Sequence, residues 1–298
     1  MTTRDFDLSR RNLLATAGMA GMAGAALSTG CGGATAATPT VAKLFSTEVG
    51  TGKTNLMLLH GWTCDAHDWS WQLPVLESKY RVVAVDLRGH GRSEVMPSGA
   101  YTPADYVADI ESLILSKYSG QKFVLIGHSM GAQIAARLAV QRPDLVSAVV
   151  SVDGSLGFSA DLGALFQKTV DDLNAGDPGV VGPALFQLFY DAATDPAYKR
   201  WHARRLQGMP LHVVRESFGP LFLGAGQVGI GKASEDFCRT LAVPIYHLCR
   251  DPAQAARMST WFTNAKSKVD VWSNAGHWIM LDRKADVNTA VTAWVDAL

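Results

Sequence analysis

The sequence predicts an α/β fold, in which helices flank a mostly parallel central sheet and a helical cap is inserted near the middle of the chain. Short runs rich in Val, Ile and Leu alternate with helical patterns as far as residue 154, which is typical of β–α–β units around a parallel sheet. Residues 155–235 contain helical stretches but no run suited to a strand, and the alternation then resumes. We therefore predict a core of residues 37–154 and 236–298 with a cap of residues 155–235.

Four predicted strands and two predicted helices make up the first part of the core. The strands are apolar runs at residues 55–60, 80–86, 123–126 and 146–152. Pro103 begins the first helix, in which apolar side chains recur at helical spacing. The second helix covers residues 130–141 and stops before Pro143, because proline cannot continue a helix. This order of elements is that of successive β–α–β units.

The predicted cap is rich in aromatic residues, and glycine and proline interrupt its helical stretches. Its aromatic residues include Phe158, Phe166, Phe186, Phe189, Tyr190, Trp201, Phe218 and Phe222. They indicate an apolar roof over a pocket, although a helical cap also uses aromatic side chains for its own core. After the cap, strands are predicted at residues 244–249 and 269–272, and helices at residues 253–264 and 284–297.

Composition and charge narrow the classes of function. The chain has 298 residues, of which 48% are apolar, so it can bury one large core or two modest ones. Lys plus Arg equals Asp plus Glu at 27 each, and no basic run carries interleaved aromatic residues. Without a net positive field, nucleic-acid binding is not expected. The expected partner is a small-molecule substrate, and the oligomeric state stays open.

Residues 1–36 are predicted to be an export signal and linker, separate from the fold. Arg10 and Arg11 precede an uncharged stretch at residues 13–27 that is rich in Ala, Gly, Leu and Met, and this arrangement resembles a twin-arginine signal. The stretch is too short and too glycine-rich for a membrane span, which needs about 20 strongly apolar residues. The protein is therefore expected to be exported and periplasmic or secreted.

The four cysteines match no zinc-binding spacing, and neither a metal nor a cofactor is predicted. Cys31 follows a stretch similar to a lipoprotein signal, so a lipid anchor on Cys31 is an alternative to cleavage after the small residues 34–36. In an oxidising compartment, two of Cys64, Cys238 and Cys249 can form a disulfide. Buried free thiols are the alternative for these three residues, and we expect this alternative.

Residues 127–131 read Gly-His-Ser-Met-Gly and lie between a predicted strand and a predicted helix. This is the G-x-S-x-G pattern of a nucleophile elbow, a turn so sharp that side chains in place of its glycines would collide with the neighbouring backbone. The turn exposes the serine hydroxyl at the N-terminus of the helix. In this context the pattern predicts Ser129 as a catalytic nucleophile.

His277 is the predicted base that activates Ser129. A serine hydroxyl becomes a strong nucleophile only when a base removes its proton. His277 follows the last predicted strand, which is where the base stands in the chain order serine, acid, histidine. The histidines elsewhere in loops, strands and the cap are expected to be structural or exposed.

Four motifs together resemble the α/β-hydrolase superfamily over nearly the whole chain, from about residue 43 to residue 298. They are residues 60–62 (His-Gly-Trp), 86–93 (Asp-Leu-Arg-Gly-His-Gly-Arg-Ser), 127–131 and 276–277 (Gly-His), with the insertion in the usual position of a cap. The resemblance implies an oxyanion hole formed by the backbone N–H groups of Trp62 and Met130. This combination of motifs is specific for the fold and unspecific for the substrate.

The acid that orients His277 departs from the common pattern of this superfamily. The usual Gly-x-x-Asp turn after the strand at residues 244–249 lacks its glycine, and Asp251 arrives about two residues early. Asp153 ends the strand that follows the nucleophile helix, a position that a minority of the superfamily uses. That minority includes enzymes similar to zearalenone-type lactonases and cofactor-independent quinaldine dioxygenases. We predict Asp153 as the acid, with Asp251 as the alternative.

These residues predict a serine hydrolase that cleaves a carboxylic ester or lactone of a small, largely hydrophobic substrate through an acyl-enzyme. One alternative is a cofactor-independent dioxygenase, in which His277 and Asp153 deprotonate a hydroxylated heteroaromatic ring. A non-catalytic binding protein on the same fold is another. Oxygen consumption and labelling by a serine-reactive probe distinguish the three.

Overall fold

A seven-stranded sheet lies at the centre of the structure, a computed structural model that describes residues 40–298. Its strands are β1 (Ser46–Val49), β2 (Asn55–Leu59), β3 (Arg81–Val85), β4 (Phe123–His128), β5 (Val146–Val152), β6 (Ile245–Cys249) and β7 (Lys268–Val271). The spatial order is β1-β3-β2-β4-β5-β6-β7, and every neighbouring pair is parallel except β1 with β3. This topology confirms the predicted fold class. The predicted export signal at residues 1–36 and the alternative lipid anchor at Cys31 lie outside the described residues.

Sequence patterns do not predict β1, because its Ser-Thr-Glu-Val run is polar and it pairs on one side only, with β3. The central strands β2 and β4 are buried runs of mainly apolar residues, as is usual for parallel strands covered on both faces. An edge strand buries little apolar surface, so its residues carry a weak signal.

Helices pack against the sheet and form the inserted cap. They are α1 (Leu73–Leu76), α2 (Pro103–Lys117), α3 (Met130–Gln141), α4 (Gly163–Ala175), α5 (Pro178–Phe186), α6 (Pro196–Gln207), α7 (Leu211–Phe218), α8 (Gly231–Arg239), α9 (Pro252–Met258), α10 (Ile279–Asp282) and α11 (Lys284–Asp296). Within residues 40–298, no helix has both the length and the apolar composition that crossing a bilayer requires.

The helix predicted at residues 253–264 is shorter in the structure. Helix α9 ends at Met258, and the hydroxyl groups of Ser259 and Thr260 each donate a hydrogen bond to a carbonyl group three residues earlier. Such side-chain bonds compete with the helical backbone bonds and favour a turn. The helix therefore ends one turn or more before the predicted boundary.

Helices α4 to α7 form the cap, and backbone hydrogen bonds join its two ends. Phe158 and Ile230 form a parallel bridge, in which the Phe158 N–H donates to the Gly229 carbonyl at 3.1 Å. The Phe158 carbonyl accepts from the Gly231 N–H at 2.9 Å. Helix α8 starts directly after this bridge and spans the cap boundary predicted at residue 235.

A largely buried arginine side chain of the cap, Arg205 in α6, joins the cap to a loop of the core. Its guanidinium forms ion pairs with Asp65 at 2.9 Å and Asp68 at 2.8 Å, and it donates to the Thr63 carbonyl at 3.2 Å. Burial opposes the charge of Asp68, but the positive charge of Arg205 outweighs this effect and lowers the pKa of Asp68 to about 2. These contacts hold α6 against the loop that follows β2.

Candidate active site

The motif at residues 127–131 forms a sharp turn between β4 and α3. Ser129 has φ 50° and ψ −115°. This conformation is strained for a residue with a side chain and costs about 1–3 kcal/mol. A Cβ on Gly127 would collide with the backbone of Ala132, and one on Gly131 would collide with the carbonyl groups at the end of β2. Gly127 thus lets the start of α3 turn back closely on the end of β4, and Gly131 lets it approach the end of β2.

Three residues other than glycine have a positive φ within residues 40–298, and all three follow strands at one edge of the sheet. They are Thr63 after β2 (57°), Ser129 after β4 (50°) and Asp153 after β5 (41°). Strained backbone of this kind persists where the surrounding contacts enforce it, and it concentrates at functional sites. The strain therefore marks this edge as the candidate site.

The structure brings His277 and Asp153 together. Oδ2 of Asp153 accepts a hydrogen bond from Nδ1 of His277 at 2.6 Å and another from Nε of Arg250 at 2.8 Å. Burial opposes the charge of Asp153, but the hydrogen bond from His277 and the positive charge of Arg250 outweigh it and hold the pKa of Asp153 well below its usual range. Asp153 is thus a carboxylate that orients the imidazole.

Asp251, the alternative acid, lies at the start of α9 and makes a different contact. Its carboxylate accepts a hydrogen bond from the Ala253 N–H at 2.9 Å, which is the usual role of an aspartate that caps a helix. Asp251 is exposed and forms no hydrogen bond with His277 in the described part of the chain.

The hydroxyl of Ser129 contacts the hydroxyl of a second serine, Ser155. Its Oγ lies 3.4 Å from Oγ of Ser155, and within residues 40–298 it forms no hydrogen bond with His277. Ser129, Ser155 and His277 line one cavity. Catalytic hydrogen bonds are often long or misaligned without a ligand and tighten when substrate binds.

Two contacts hold the backbone of His277. Its N–H donates to the Phe189 carbonyl in the cap at 2.7 Å, and its carbonyl accepts from Nε2 of His128 at 3.0 Å. Burial lowers the pKa of His128 well below its ordinary value, so this ring is neutral and Nε2 carries its proton. A Cβ on Gly276 would lie 2.9 Å from the Phe189 carbonyl oxygen, so glycine allows the cap to approach the histidine.

The backbone N–H groups of Trp62 and Met130 are available for a ligand. Neither donates a hydrogen bond to another residue of the described range 40–298. Met130 is the first residue of α3, where helical N–H groups have no partner in their own helix. The Trp62 indole donates to the Val214 carbonyl of the cap at 3.2 Å, which fixes the residue beneath the roof.

A cavity of about 260 Å³ lies between this edge of the sheet and the cap. Apolar and aromatic side chains form most of its wall: Trp62, Phe158, Leu162, Leu165, Phe166, Phe186, Leu188, Phe189, Phe218, Leu221, Phe222 and Trp278. The remaining lining residues are His128, Ser129, Ser155, Arg250 and His277. The cavity therefore combines an apolar body with a few polar groups at one end, as small-molecule sites do.

A buried cluster behind the site has donor atoms of the kind that bind metals. One ligand atom from each of Cys64, Asp68 and His128 lies within 4.8 Å of the others. Arg205 already pairs with Asp68 and supplies positive charge there, so we interpret the cluster as part of the anchor between cap and core. Cys64 is a buried free thiol, and so are the other two described cysteines, Cys238 and Cys249.

Sequence reasoning missed Ser155 and Arg250 as residues of the site. Both follow strands at the edge that carries Ser129, since Ser155 comes shortly after β5 and Arg250 directly after β6. The position of a residue just beyond a parallel strand is the signal that would have found them. The contact between Phe189 and His277 carries no such signal, because it joins the cap to a distant loop.

Comparisons with known proteins agree with this fold. Residues 54–182 match the family described as alpha/beta hydrolase fold. A pimeloyl-[acyl-carrier protein] methyl ester esterase of Proteus mirabilis is 33% identical over 118 residues, which cover 40% of this chain and 43% of that protein. The chain thus spans less than half the length of the first curated relatives that it matches.

Two solved structures illustrate the likeness of fold. An esterase from Exiguobacterium antarcticum has a TM-score of 0.73 at 19% identity, covering 86% of this chain and 96% of that one. The enol-lactonase from Burkholderia xenovorans LB400 has a TM-score of 0.72 at 17% identity, covering 86% and 97%. Together with the family match over residues 54–182 and the sheet topology, these findings show that the chain has the α/β-hydrolase fold.

Proposed function

We propose that this protein is a serine hydrolase that cleaves a carboxylic ester or lactone. The observation that carries the proposal is that His277, which hydrogen-bonds to the buried Asp153 at 2.6 Å, lines one apolar cavity together with the strained Ser129. The esterase named among the relatives acts on a methyl ester, and the fold neighbours include an esterase and an enol-lactonase. Both observations favour acyl transfer to a serine.

In the proposed reaction, Oγ of Ser129 attacks the carbonyl carbon while its proton passes to Nε2 of His277. Asp153 holds the resulting imidazolium in place. The carbonyl oxygen becomes an oxyanion that accepts hydrogen bonds from the N–H groups of Trp62 and Met130. A donor of this kind contributes roughly 2.7–4 kcal/mol to the transition state.

The acyl-enzyme then forms as the C–O bond of the ester breaks and His277 donates its proton to the departing alkoxide. Water enters, gives a proton to Nε2 of His277 and attacks the acyl carbon. Collapse of the second tetrahedral intermediate releases the carboxylic acid and restores the hydroxyl of Ser129. For a lactone, acid and alcohol leave as one molecule.

A fluorophosphonate probe tests this proposal, because it labels only an activated serine. Wild-type protein is expected to be labelled and to hydrolyse short p-nitrophenyl esters. Ser129→Ala is expected to lose labelling and roughly 10⁶-fold in kcat, as when the nucleophile of a serine protease is removed. Ser78→Ala, at an exposed position outside the cap, is the control and should behave as wild type.

Two outcomes contradict the proposal. Oxygen uptake on a hydroxylated heteroaromatic compound, without any ester hydrolysis, would identify a dioxygenase that uses His277 and Asp153 as its base. Wild-type protein that is neither labelled nor active on any ester, lactone or such ring would indicate a binding protein.

A further inference from the structure

Helix α5 is an apolar helix that faces solvent. Its nine residues read Pro-Gly-Val-Val-Gly-Pro-Ala-Leu-Phe and include no charged or hydrogen-bonding side chain. Val180 in this helix is 66% exposed. Leu188, which lies just beyond the C-terminus of α5, is also 66% exposed. A helix that is apolar on all sides is normally buried, so the outer side of α5 is suited to an apolar ligand.

A groove of about 630 Å³ runs between α4 and α5. Its lining residues are Leu165, Lys168, Thr169, Asp172, Ala175, Gly176, Val180, Val181, Ala184, Leu185 and Leu188. Lys168 and Asp172 pair with each other at 2.6 Å, and the Thr169 hydroxyl donates to the Leu165 carbonyl at 2.9 Å. Among these described lining residues, the charged and hydroxyl groups are thus all satisfied, and the groove offers apolar contact.

The groove adjoins the catalytic cavity. Leu165 from α4 and Leu188 after α5 line both the groove and the cavity that holds Ser129. The two side chains are 39% and 66% exposed, so they form a boundary that a ligand can pass by moving two surface leucines. A ligand too long for the cavity of about 260 Å³ therefore finds a second apolar surface at its end.

We propose that the groove between α4 and α5 binds the distal part of a long alkyl chain, while the ester carbonyl of the same molecule lies at Ser129. This inference rests on the proposed function and names its substrate class, esters with an extended apolar acyl chain. Each methylene group that leaves water for an apolar surface contributes a factor of roughly four in binding. A few methylene groups in the groove therefore favour long chains strongly over short ones.

The test compares p-nitrophenyl butyrate with p-nitrophenyl laurate, both kept below the concentration at which they aggregate. Val180→Asp places a carboxylate in the groove at a largely exposed position, so folding should be unaffected. The ratio of kcat/KM for laurate to that for butyrate is expected to fall about tenfold, which corresponds to the loss of one or two methylene contacts. Leu115→Asp, at a 44% exposed position in α2 away from both cavities, should leave the ratio unchanged.

Several outcomes would overturn the proposal. If the groove does not bind the alkyl chain, Val180→Asp should leave the laurate-to-butyrate ratio unchanged. An equal fall in kcat/KM for both substrates has the same meaning. An unchanged ratio, with self-association that Val180→Asp abolishes in sedimentation, would show that a second copy covers the groove. An unchanged ratio with weakened binding to phosphatidylcholine vesicles would assign it to a membrane surface.

Failure of the proposed hydrolase function can be distinguished from failure of the proposal that the groove binds an alkyl chain. If wild-type protein hydrolyses neither ester, displacement of a fluorescent fatty acid by lauric acid measures the groove directly. The affinity for lauric acid should then fall about tenfold in Val180→Asp and stay constant in Leu115→Asp. Equal affinities for lauric acid in all three proteins would contradict the proposal that the groove binds the alkyl chain.

Discussion

The floor and the roof of the cavity are built on different principles. Below the cavity, directional hydrogen bonds and strained backbone hold Ser129, Asp153 and His277, so the backbone positions of these residues and the contact between His277 and Asp153 are fixed. The roof consists of aromatic and aliphatic side chains such as Phe166 and Phe222, which stack with ring centroids 4.0 Å apart. Apolar contacts have no preferred direction, so the roof can select by size and length and tolerate variation. Changes in the floor should lower turnover of every substrate, and changes in the roof should alter preference.

Among the substitutions below the cavity, Asp153→Asn is expected to have the largest effect on kcat. The amide cannot stabilise the imidazolium and favours the wrong tautomer of His277, so kcat should fall by roughly 10⁴ for every substrate. Steady-state kinetics on a short and a long ester measure the effect. Asp251→Asn is the matched control, because asparagine also caps a helix and Asp251 does not contact His277. Comparable losses in both variants would contradict the assignment of the acid.

Arg205→Ala removes the ion pairs that join α6 of the cap to the loop after β2. It leaves Asp68 buried without a partner, and the free energy of unfolding should fall by about 3–5 kcal/mol. Urea unfolding measures this loss. Arg204→Ala, an exposed neighbour in α6, should change stability little.

A double substitution sharpens the interpretation of Arg205. If the unpaired charge causes the loss, Asp68→Asn should recover part of the stability in the Arg205→Ala background. Equal losses in the single and double variants would instead attribute the effect to packing of the arginine side chain.

Acid should destabilise the cap and the core together, by a smaller amount for each histidine than the loss expected for Arg205→Ala. Burial lowers the pKa of His202 in the cap and of His247 in the core from 6.5 to about 4. The unfolded chain therefore binds protons that the folded chain does not, and stability falls as pH drops below 6.5 towards 4. Each histidine should cost about 2 kcal/mol between pH 7 and pH 5. Urea unfolding at both values checks this, and His247→Gln should reduce the difference; parallel behaviour of variant and wild type would contradict it.

The sequence by itself determined the order of the elements and the residues with local signals. Ser129 is recognisable because the G-x-S-x-G pattern at residues 127–131 stands between a strand pattern and a helix pattern. The need for glycine at Gly127 is local, since a Cβ there would meet the backbone of Gly131 and Ala132. His277 is recognisable from its place after the last strand. The apolar runs of the parallel strands are equally local. The polar edge strand β1 has no such signal.

Only the tertiary structure decided which aspartate meets His277. Asp153 directly follows β5 and Asp251 follows β6 by two residues, so both aspartates lie at the same edge of the sheet. The choice depends on where the ends of β5 and β6 lie relative to the histidine loop, and Arg250 occupies the place beside Asp153 at 2.8 Å. The groove between α4 and α5 likewise exists only when two helices with separate local signals pack side by side. Distances between chain-distant groups are set by packing of the whole fold, which short sequence windows do not encode.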